Sequence, residues 1–201
     1  TACRRQRQMC IRDRNNLSGF EFLSCIPGSI GGGIRMNAGC FGKEFKDILI
    51  SIQAIDNRGN LITIPSKKIN FEYRNNDIPE DLIFLSASFK GIKSDVQKIN
   101  SEILKMKSEK EKNQPTKIKT SGSTFKNPVN QTNKKVWELI RESVSLDTKF
   151  GDACISNKHS NFFVNKGNAT FKDMKKLIDF VSQKVFEKTG VKLDNEIKIL
   201  E

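Results

Sequence analysis

The sequence predicts an α+β protein in two domains, and three observations carry that prediction. Residues 47–64 set two β-rich runs on either side of a turn, the apolar spacing becomes helical past Gly91, and Gln114-Pro115 stops that helix at a natural boundary. A chain of 201 residues can fill one or two hydrophobic cores. The divisions that follow are a leader over 1–14, a first domain over 15–91, a connecting helix over 92–114 and a second domain over 115–201.

In the first domain, residues 47–56 are β-rich, Asn57-Arg58-Gly59-Asn60 supplies the turn, and 61–64 return, which reads as a hairpin. Phe71-Glu72-Tyr73-Arg74-Asn75-Asn76 carries an aromatic-flanked arginine into a polar loop, and 82–89 is a short apolar run read as a strand. Past Gly91, Val96, Ile99, Ile103 and Met106 recur at helical spacing behind a Ser94 cap. In the second domain Val136, Leu139, Ile140 and Val144 mark an amphipathic helix, and 152–156 and 161–165 read as short strands. Asn168 or Thr170 caps a helix whose stripe is Phe171, Met174, Leu177, Ile178, Val181 and Val185, ended by Gly190. The tail alternates Val191, Leu193, Ile197 and Ile199 with Lys192, Asp194, Glu196 and Lys198, so it reads as a final strand with Glu196 on its polar face.

The formal net charge of +12 raises a basic anion- or nucleic-acid-binding module as one class of function. Much of that charge is local. Residues 1–14 hold Arg4, Arg5, Arg7, Arg12 and Arg14 against Asp13, and beyond them the basic residues are nearly all lysine and total +8 net. The abrupt change of character marks 1–14 as a leader foreign to the domain, to be left out of fold reasoning; a basic arm for nucleic acid is the alternative. No run approaches transmembrane length and the start lacks a signal-peptide pattern, so a cytoplasmic protein without a membrane partner is expected. Cys3 and Cys10 fall in the leader, and Cys25, Cys40 and Cys154 are scattered with a single histidine, His159, which argues against a zinc site and a disulfide framework.

Two stretches carry the candidate chemistry. Residues 27–42 contain Gly28, Gly31, Gly32, Gly33, Gly39 and Gly42, which strip side chains from a backbone that either hugs a cofactor or makes tight turns. The run is not a Walker loop and lacks the strand, GxGxxG and helix order of a dinucleotide fold. Ser121-Gly122-Ser123-Thr124-Phe125-Lys126-Asn127-Pro128 has no hydrophobic period and reads as a loop, either a polar surface loop or a place where N–H groups, a hydroxyl and an ammonium meet an anion or substrate.

Seven motifs, in order, make the chain resemble the flavin-dependent UDP-N-acetylenolpyruvoylglucosamine reductases of peptidoglycan precursor synthesis. They are Gly19-Phe-Glu-Phe-Leu followed by Ile26-Pro-Gly-Ser-Ile-Gly-Gly, then Met36-Asn-Ala-Gly, Phe71-Glu-Tyr-Arg74, Gln114-Pro115, Gly122-Ser-Thr-Phe-Lys-Asn-Pro128, Ile155-Ser-Asn-Lys-His-Ser-Asn-Phe162 and Gly190-Val-Lys-Leu-Asp-Asn-Glu196. The resemblance implies the C-terminal half of a vanillyl-alcohol-oxidase/PCMH-type FAD-binding domain followed by a small α+β substrate-binding domain. It implies FAD as cofactor, NADPH as hydride donor, UDP-N-acetylenolpyruvoylglucosamine as substrate, no nucleic-acid partner, and a monomer when complete. Ser123 matches the proton donor, while Arg74 and Glu196 match the residues that polarise the substrate carboxylate and support the intermediate. Lys126 and Asn127 match positions near the nucleotide part of the substrate, and Ile26, Pro27, Gly28, Ser29, Gly31, Gly32, Asn37 and Gly39 match the FAD-contacting stretches. His159, inside a motif but at no catalytic position, is expected to make a structural hydrogen bond.

Several departures accompany the likeness. Nothing before Leu17 resembles the family's N-terminal subdomain with its phosphate loop, so the chain reads as the C-terminal two-thirds of such an enzyme, expected to hold FAD weakly or not at all and to expose apolar surface. Cys154 stands where relatives often carry glutamine, which puts one substrate contact in doubt. Tyr73 is the sole tyrosine, which places the chain nearer the subgroup without a tyrosine-bearing insertion.

Overall fold

A computed structural model describes residues 16–115 and 118–200, and the arginine-rich leader with Cys3 and Cys10 lies outside them. The described residues form an α+β fold in which every strand pairing is antiparallel. The chain divides into two compact units, one ending at Lys110 and the other beginning at Glu111.

The first unit starts with β1 (Leu17–Ser18), a 3-10 turn (Glu21–Cys25) and a short helix α1 (Ile30–Arg35). The glycine-rich run, read from sequence as hugging a cofactor or making tight turns, is helical at its centre. Ser29 makes this possible by taking the Gly32 N–H on its Oγ at 3.1 Å, and Asn76 closes the other end by donating to the Ile34 and Arg35 carbonyls. β2 (Gly39–Cys40) and β3 (Lys43–Glu44) pair through a tight turn at Phe41 and Gly42, both with positive φ. β4 (Leu49–Ile55) and β5 (Leu61–Pro65) form the expected hairpin, closed by Asp56, whose carboxylate accepts from Arg58 and Asn60. β6 (Phe71–Glu72) and β7 (Asn75–Asn76) make a second small hairpin. β8 (Ile83–Phe89) then adds to β4, giving the order β5-β4-β8. Ile34, Phe45, Leu49, Ile52, Ile69 and Ile78 form a modest core beneath this sheet, while Leu61, Ile83 and Leu85 stay exposed.

β9 (Ile92–Lys93) pairs with β1 and leads into α2 (Val96–Asn113), which buries Ile99 and Ile103. Its cap is Asp95 rather than Ser94: Asp95 Oδ1 accepts the Gln97 N–H at 3.0 Å. A carboxylate immediately before the first helical residue reaches the second N–H of the helix, which the serine one position earlier does not.

The second unit is a four-stranded sheet with two helices. β10 (Lys119–Ser123) runs directly into the polar stretch that the sequence suggested was all loop, α3 (Val136–Ser143) follows, and β11 (Lys149–Phe150), β12 (Ala153–Ile155) and β13 (Phe162–Asn165) complete the sheet in the order β10-β13-β12-β11. α4 (Phe171–Thr189) is capped by Thr170, which exchanges hydrogen bonds with Asp173, and it ends at Gly190 in the left-handed conformation, φ 70°. Val136, Leu139 and Ile140 of α3, Leu177, Ile178, Val181 and Val185 of α4, and Ile155 and Phe163 of the sheet meet in one core. The tail alternates as expected, with Val191 and Leu193 buried, but it is no strand. One isolated bridge, Phe125 to Asn195, pairs its backbone, with Lys126 N–H bonded to Asp194 O and Glu196 N–H to Thr124 O, both at 2.8 Å, and the Gln131 side chain holds Lys192 at both its N–H and its carbonyl.

Candidate active site

The sequence-predicted residues fall into two clusters, one in each unit. In the first unit Arg74 occupies the second turn position between β6 and β7 with φ 57°, a left-handed conformation that costs a non-glycine residue about 1 kcal/mol or more. Its half-buried guanidinium donates to Gly39 O at 3.1 Å and to Asn37 O at 3.5 Å, and lies 5.0 Å from the Tyr73 ring centroid. A side chain that is delocalised and always charged suits such a junction of carbonyls and an aromatic face.

Asn37 is fully buried and turns its side chain inward. Its Nδ2 donates to Glu44 Oε2 at 2.9 Å and Glu72 O at 3.0 Å, and its Oδ1 accepts the Lys46 N–H at 3.1 Å. Asn37 thus braces the segment around Gly39 and β6, and the Arg74 fork rests on the segment so braced. Cys40, beside them, donates its thiol to Phe22 O at 3.2 Å. Burial first, and then the neighbouring Cys25 thiol, push the Cys40 pKa up to about 11 against the opposing pull of Lys110 and Arg74, which keeps it a thiol rather than a thiolate.

The glycines differ in what they face. A Cβ at Gly33 would stand 2.3 Å from the Phe45 ring, and one at Gly39 would stand 2.4 Å from Lys43 O, so these two are required by packing. A Cβ at Gly31 would meet Phe84 at an ordinary 3.7 Å, and one at Gly28 would meet nothing within 4 Å. Gly28 and Gly32 are exposed, as are Pro27 and Ser29, while Ile26 and Gly31 are half-buried. This part of the run is helical backbone bare of side chains without any internal packing reason at Gly31, at a cost of about 1 kcal/mol per helical glycine.

The second cluster is built around Ser123. β10 pairs Thr120 with Val164 but Ser123 with Phe162, so one extra residue is inserted between them, and Gly122 takes φ 91° there. Beyond Ser123 the backbone is gripped from both sides. Thr124 N–H donates to Asn161 O at 2.8 Å, and Thr124 O accepts from Glu196. Phe125 N–H donates to Asn161 Oδ1 at 3.0 Å, and Phe125 O accepts from Asn161 Nδ2 at 2.8 Å. The structure therefore brings Ser123 and Glu196 onto neighbouring stretches of backbone, and Glu196 is half-buried rather than on an open strand face. The Thr124 hydroxyl is buried with no hydrogen-bond partner among the described residues.

Lys126 is half-buried. Asn127 Oδ1 accepts the Val136 N–H at 3.1 Å and so caps α3, with Ser160 Oγ donating to Trp137 O at 2.7 Å in the next turn position. His159 makes the expected structural contact, its Nδ1 accepting the Asn161 N–H at 3.3 Å. Burial, and secondarily the Arg141 charge, hold its pKa below the usual histidine value despite a backbone hydrogen bond that acts the other way. The sequence reading missed Asn161 and Ser160. A buried amide and hydroxyl next to the apolar run Phe162-Phe163-Val164 were the available signal, since buried polar groups must be bonded. Among the described residues no group of three or more His, Cys, Asp or Glu side chains could hold a metal ion, and no helix is long and apolar enough to cross a membrane.

Residues 114–200 match the family model described as UDP-N-acetylenolpyruvoylglucosamine reductase, C-terminal domain. The UDP-N-acetylenolpyruvoylglucosamine reductase of Pelagibacter ubique (strain HTCC1062) is 66% identical over 186 residues, covering 92% of this chain and 62% of that protein. The chain is similar to this reductase over 92% of its own length. The reductase of Rickettsia typhi is 50% identical over 184 residues, covering 92% of the chain and 61% of that protein. The crystal structure of UDP-N-acetylenolpyruvylglucosamine reductase (MurB) from Thermus caldophilus superimposes with a TM-score of 0.79 at 29% identity, covering 94% of this chain and 66% of that one. The chain thus spans about three-fifths of the length of these curated reductases. Arg74 belongs to the first unit, outside the C-terminal family model, and Ser123 and Glu196 to the second, inside it.

Proposed function

We propose that the protein carrying this chain reduces UDP-N-acetylenolpyruvoylglucosamine to UDP-N-acetylmuramate in peptidoglycan precursor synthesis, with FAD as cofactor and NADPH as the source of hydride. The observation that carries the reading is the joining of the Ser123 segment to Glu196 through the Thr124 carbonyl. It gives a hydroxyl and a carboxylate neighbouring backbone positions in a chain 66% identical to a reductase so named. The first unit is read as the C-terminal half of a vanillyl-alcohol-oxidase/PCMH-type FAD-binding domain and the second as a substrate-binding domain.

The residues around α1 fit a flavin nucleotide. Gly31 leaves helical backbone without a Cβ where neither packing nor a positive φ demands it, Gly28, whose φ of 130° itself calls for glycine, and Gly32 leave the adjoining backbone bare, and Ile26, Pro27, Ser29, Asn37 and Gly39 would shape the same surface, Asn37 through its internal brace. When bound, FAD supplies a hydride, taken from NADPH, to the methylene carbon of the enolpyruvyl ether. The substrate carbon next to the carboxylate then carries negative charge, and the protein must spread that charge and quench it with a proton. Arg74, permanently charged and planar, would hold the carboxylate as a bidentate partner. Ser123 would deliver the proton from its Oγ, and Glu196 would support the intermediate. Lys126 and Asn127 would contact the nucleotide portion of the substrate. A cytoplasmic, monomeric enzyme without nucleic-acid partners completes the reading.

The test uses the full-length protein. It should purify with a flavin absorbance spectrum and oxidise NADPH only when substrate is added. Ser123→Ala should leave flavin reduction by NADPH within about twofold while slowing reoxidation by substrate at least about a hundredfold, since the proton is needed only after hydride has left the flavin. No bound flavin together with no substrate-dependent NADPH oxidation would overturn the assignment, and equal slowing of both half-reactions would remove Ser123 from the proton-donor role.

A further inference from the structure

The stretch from Thr124 to Lys126 has left its sheet. β10 stops pairing regularly at the inserted residue, and β13 begins at Phe162, so Thr124 and Phe125 have no strand beside them on that side. Their own side chains do not anchor the turn by hydrogen bonds: the Thr124 hydroxyl finds no partner among the described residues, and Phe125 points its ring into the core against Phe163, 5.9 Å away. What closes the gap is one residue. Asn161 is buried, at 5% exposure, and it meets Phe125 with an amide carbonyl for the N–H and an amide N–H for the carbonyl. Its own backbone carbonyl takes the Thr124 N–H. The side chain thus substitutes for a peptide group of a neighbouring strand, with one donor and one acceptor at the spacing that Phe125 presents. Aspartate would offer two acceptors and leucine neither, while glutamine would carry the amide one carbon too far out.

We propose that Asn161 is a positioning residue for the proton-donor segment. By completing the pairing of Thr124 and Phe125 it fixes the backbone that carries Ser123 on one end and receives the Glu196 N–H on the other, so that hydroxyl and carboxylate keep one relative placement. Asn161 needs no contact with substrate for this. Its catalytic consequence rests on the proposed function, whereas its bracing role stands on the hydrogen bonds alone. Ser160, next in sequence and equally buried, is the internal comparison: its hydroxyl bonds to Trp137 O in α3 and leaves the Ser123 segment untouched.

Half-reactions of the full-length enzyme separate these roles. Asn161→Ala should slow reoxidation of the reduced flavin by substrate at least about tenfold, the scale on which small misplacements of catalytic groups act, with flavin reduction by NADPH unchanged within about twofold. Asn161→Asp should be no better, because it sets an acceptor against the Phe125 carbonyl. Ser160→Ala should leave both half-reactions within about twofold, whatever stability it loses. Equal slowing of both half-reactions, wild-type behaviour of Asn161→Asp, or a Ser160→Ala loss matching that of Asn161→Ala would overturn the proposal. Should the Asn161 variants not fold, amide exchange in the wild-type protein decides: the Phe125 N–H should be as slow as those of β12 and β13, and exchange at the rate of an open loop would refute the brace. An unreactive wild-type enzyme with a protected Phe125 N–H would sink the proposed function and leave the brace standing.

Discussion

Gly33 and Gly31 sit two residues apart in one short helix, and the structure predicts opposite outcomes for the same substitution. A methyl at Gly33 would fall 2.3 Å from one Phe45 ring carbon and 2.5 Å from the next. Phe45 is itself 2% exposed and wedged edge-on between Phe22 and Phe89, with centroids 6.4 and 6.0 Å away, so the ring has nowhere to swing. Overpacking of this kind costs about 1–3 kcal/mol, and a rigid three-ring cluster places Gly33→Ala toward the upper part of that range. The better helix propensity of alanine returns about 1 kcal/mol, leaving a net loss of about 1–2 kcal/mol. At Gly31 the methyl would meet Phe84 at 3.7 Å, an ordinary contact, so only the propensity term acts and Gly31→Ala should gain about 0.5–1 kcal/mol. The two variants should therefore differ by about 2–3 kcal/mol. Urea denaturation followed by amide exchange in β4 reads the first unit, and the fluorescence of Trp137, the only tryptophan and a second-unit residue, should stay unchanged as the control. Equal stabilisation by both substitutions would refute the packing argument. If Gly31 serves the flavin, Gly31→Ala in the full-length protein should also retain less FAD despite its greater stability.

Three further outcomes follow from the geometry. His159 is the only histidine, so its ring protons titrate without ambiguity in an NMR spectrum. The midpoint should fall below the usual value of about 6.5, and because the folded state disfavours the charged form, the associated stability is present above that pH and is lost on acidification; a midpoint at or above 6.5 would contradict the burial described. Asn127→Ala should cost about 1 kcal/mol through loss of the α3 cap, with Asn127→Asp losing less because it keeps the acceptor; urea unfolding monitored by Trp137 in the first turn of that helix measures both, and identical losses would rule the cap out. Cys40, with its pKa pushed up to about 11, should resist iodoacetamide at pH 9, where about 1% of it would be thiolate. Since its folded pKa is raised, its contribution to the first unit's stability is present below the unfolded value and is lost as the pH rises toward 11. Peptide mapping that finds Cys40 alkylated as fast as a free thiol would contradict this.

Local chemistry explains which parts were legible in the sequence. α4 announces itself through an uninterrupted apolar stripe, a Thr170–Asp173 capping pair and Gly190, all of which act within a few residues of each other. The β4–β5 hairpin does so through Asp56 to Asn60 for the same reason. What stayed hidden depends on distant partners. The tail has strand periodicity without a strand, because alternation reports which side chains are buried and says nothing of whether a neighbouring backbone runs alongside for more than the one bridge at Asn195. The helix within the glycine run contradicts propensity and is held by Ser29 at one end and by Asn76, more than forty positions on, at the other. At the candidate site, motif likeness pointed to Ser123, Arg74 and Glu196. It gave no hint that Arg74 adopts a left-handed turn or that Asn161 holds the Ser123 backbone, since both are matters of pairing across the fold.

The residue inserted between Thr120 and Ser123 sets which of two serines can matter. On an unbroken strand Ser121 and Ser123 would share a face, because side chains alternate with a period of two. Here Thr120 stands opposite Val164 and Ser123 opposite Phe162, so three steps along β10 match two along β13, and Ser123 returns to the face of Thr120 rather than alternating away from it. The choice between them is thus made by counting rather than by chemistry. Deleting Gly122 would restore the regular count with Ser123 still opposite Phe162, leaving the face of the proton-donor candidate unchanged and removing only the φ 91° kink beside it.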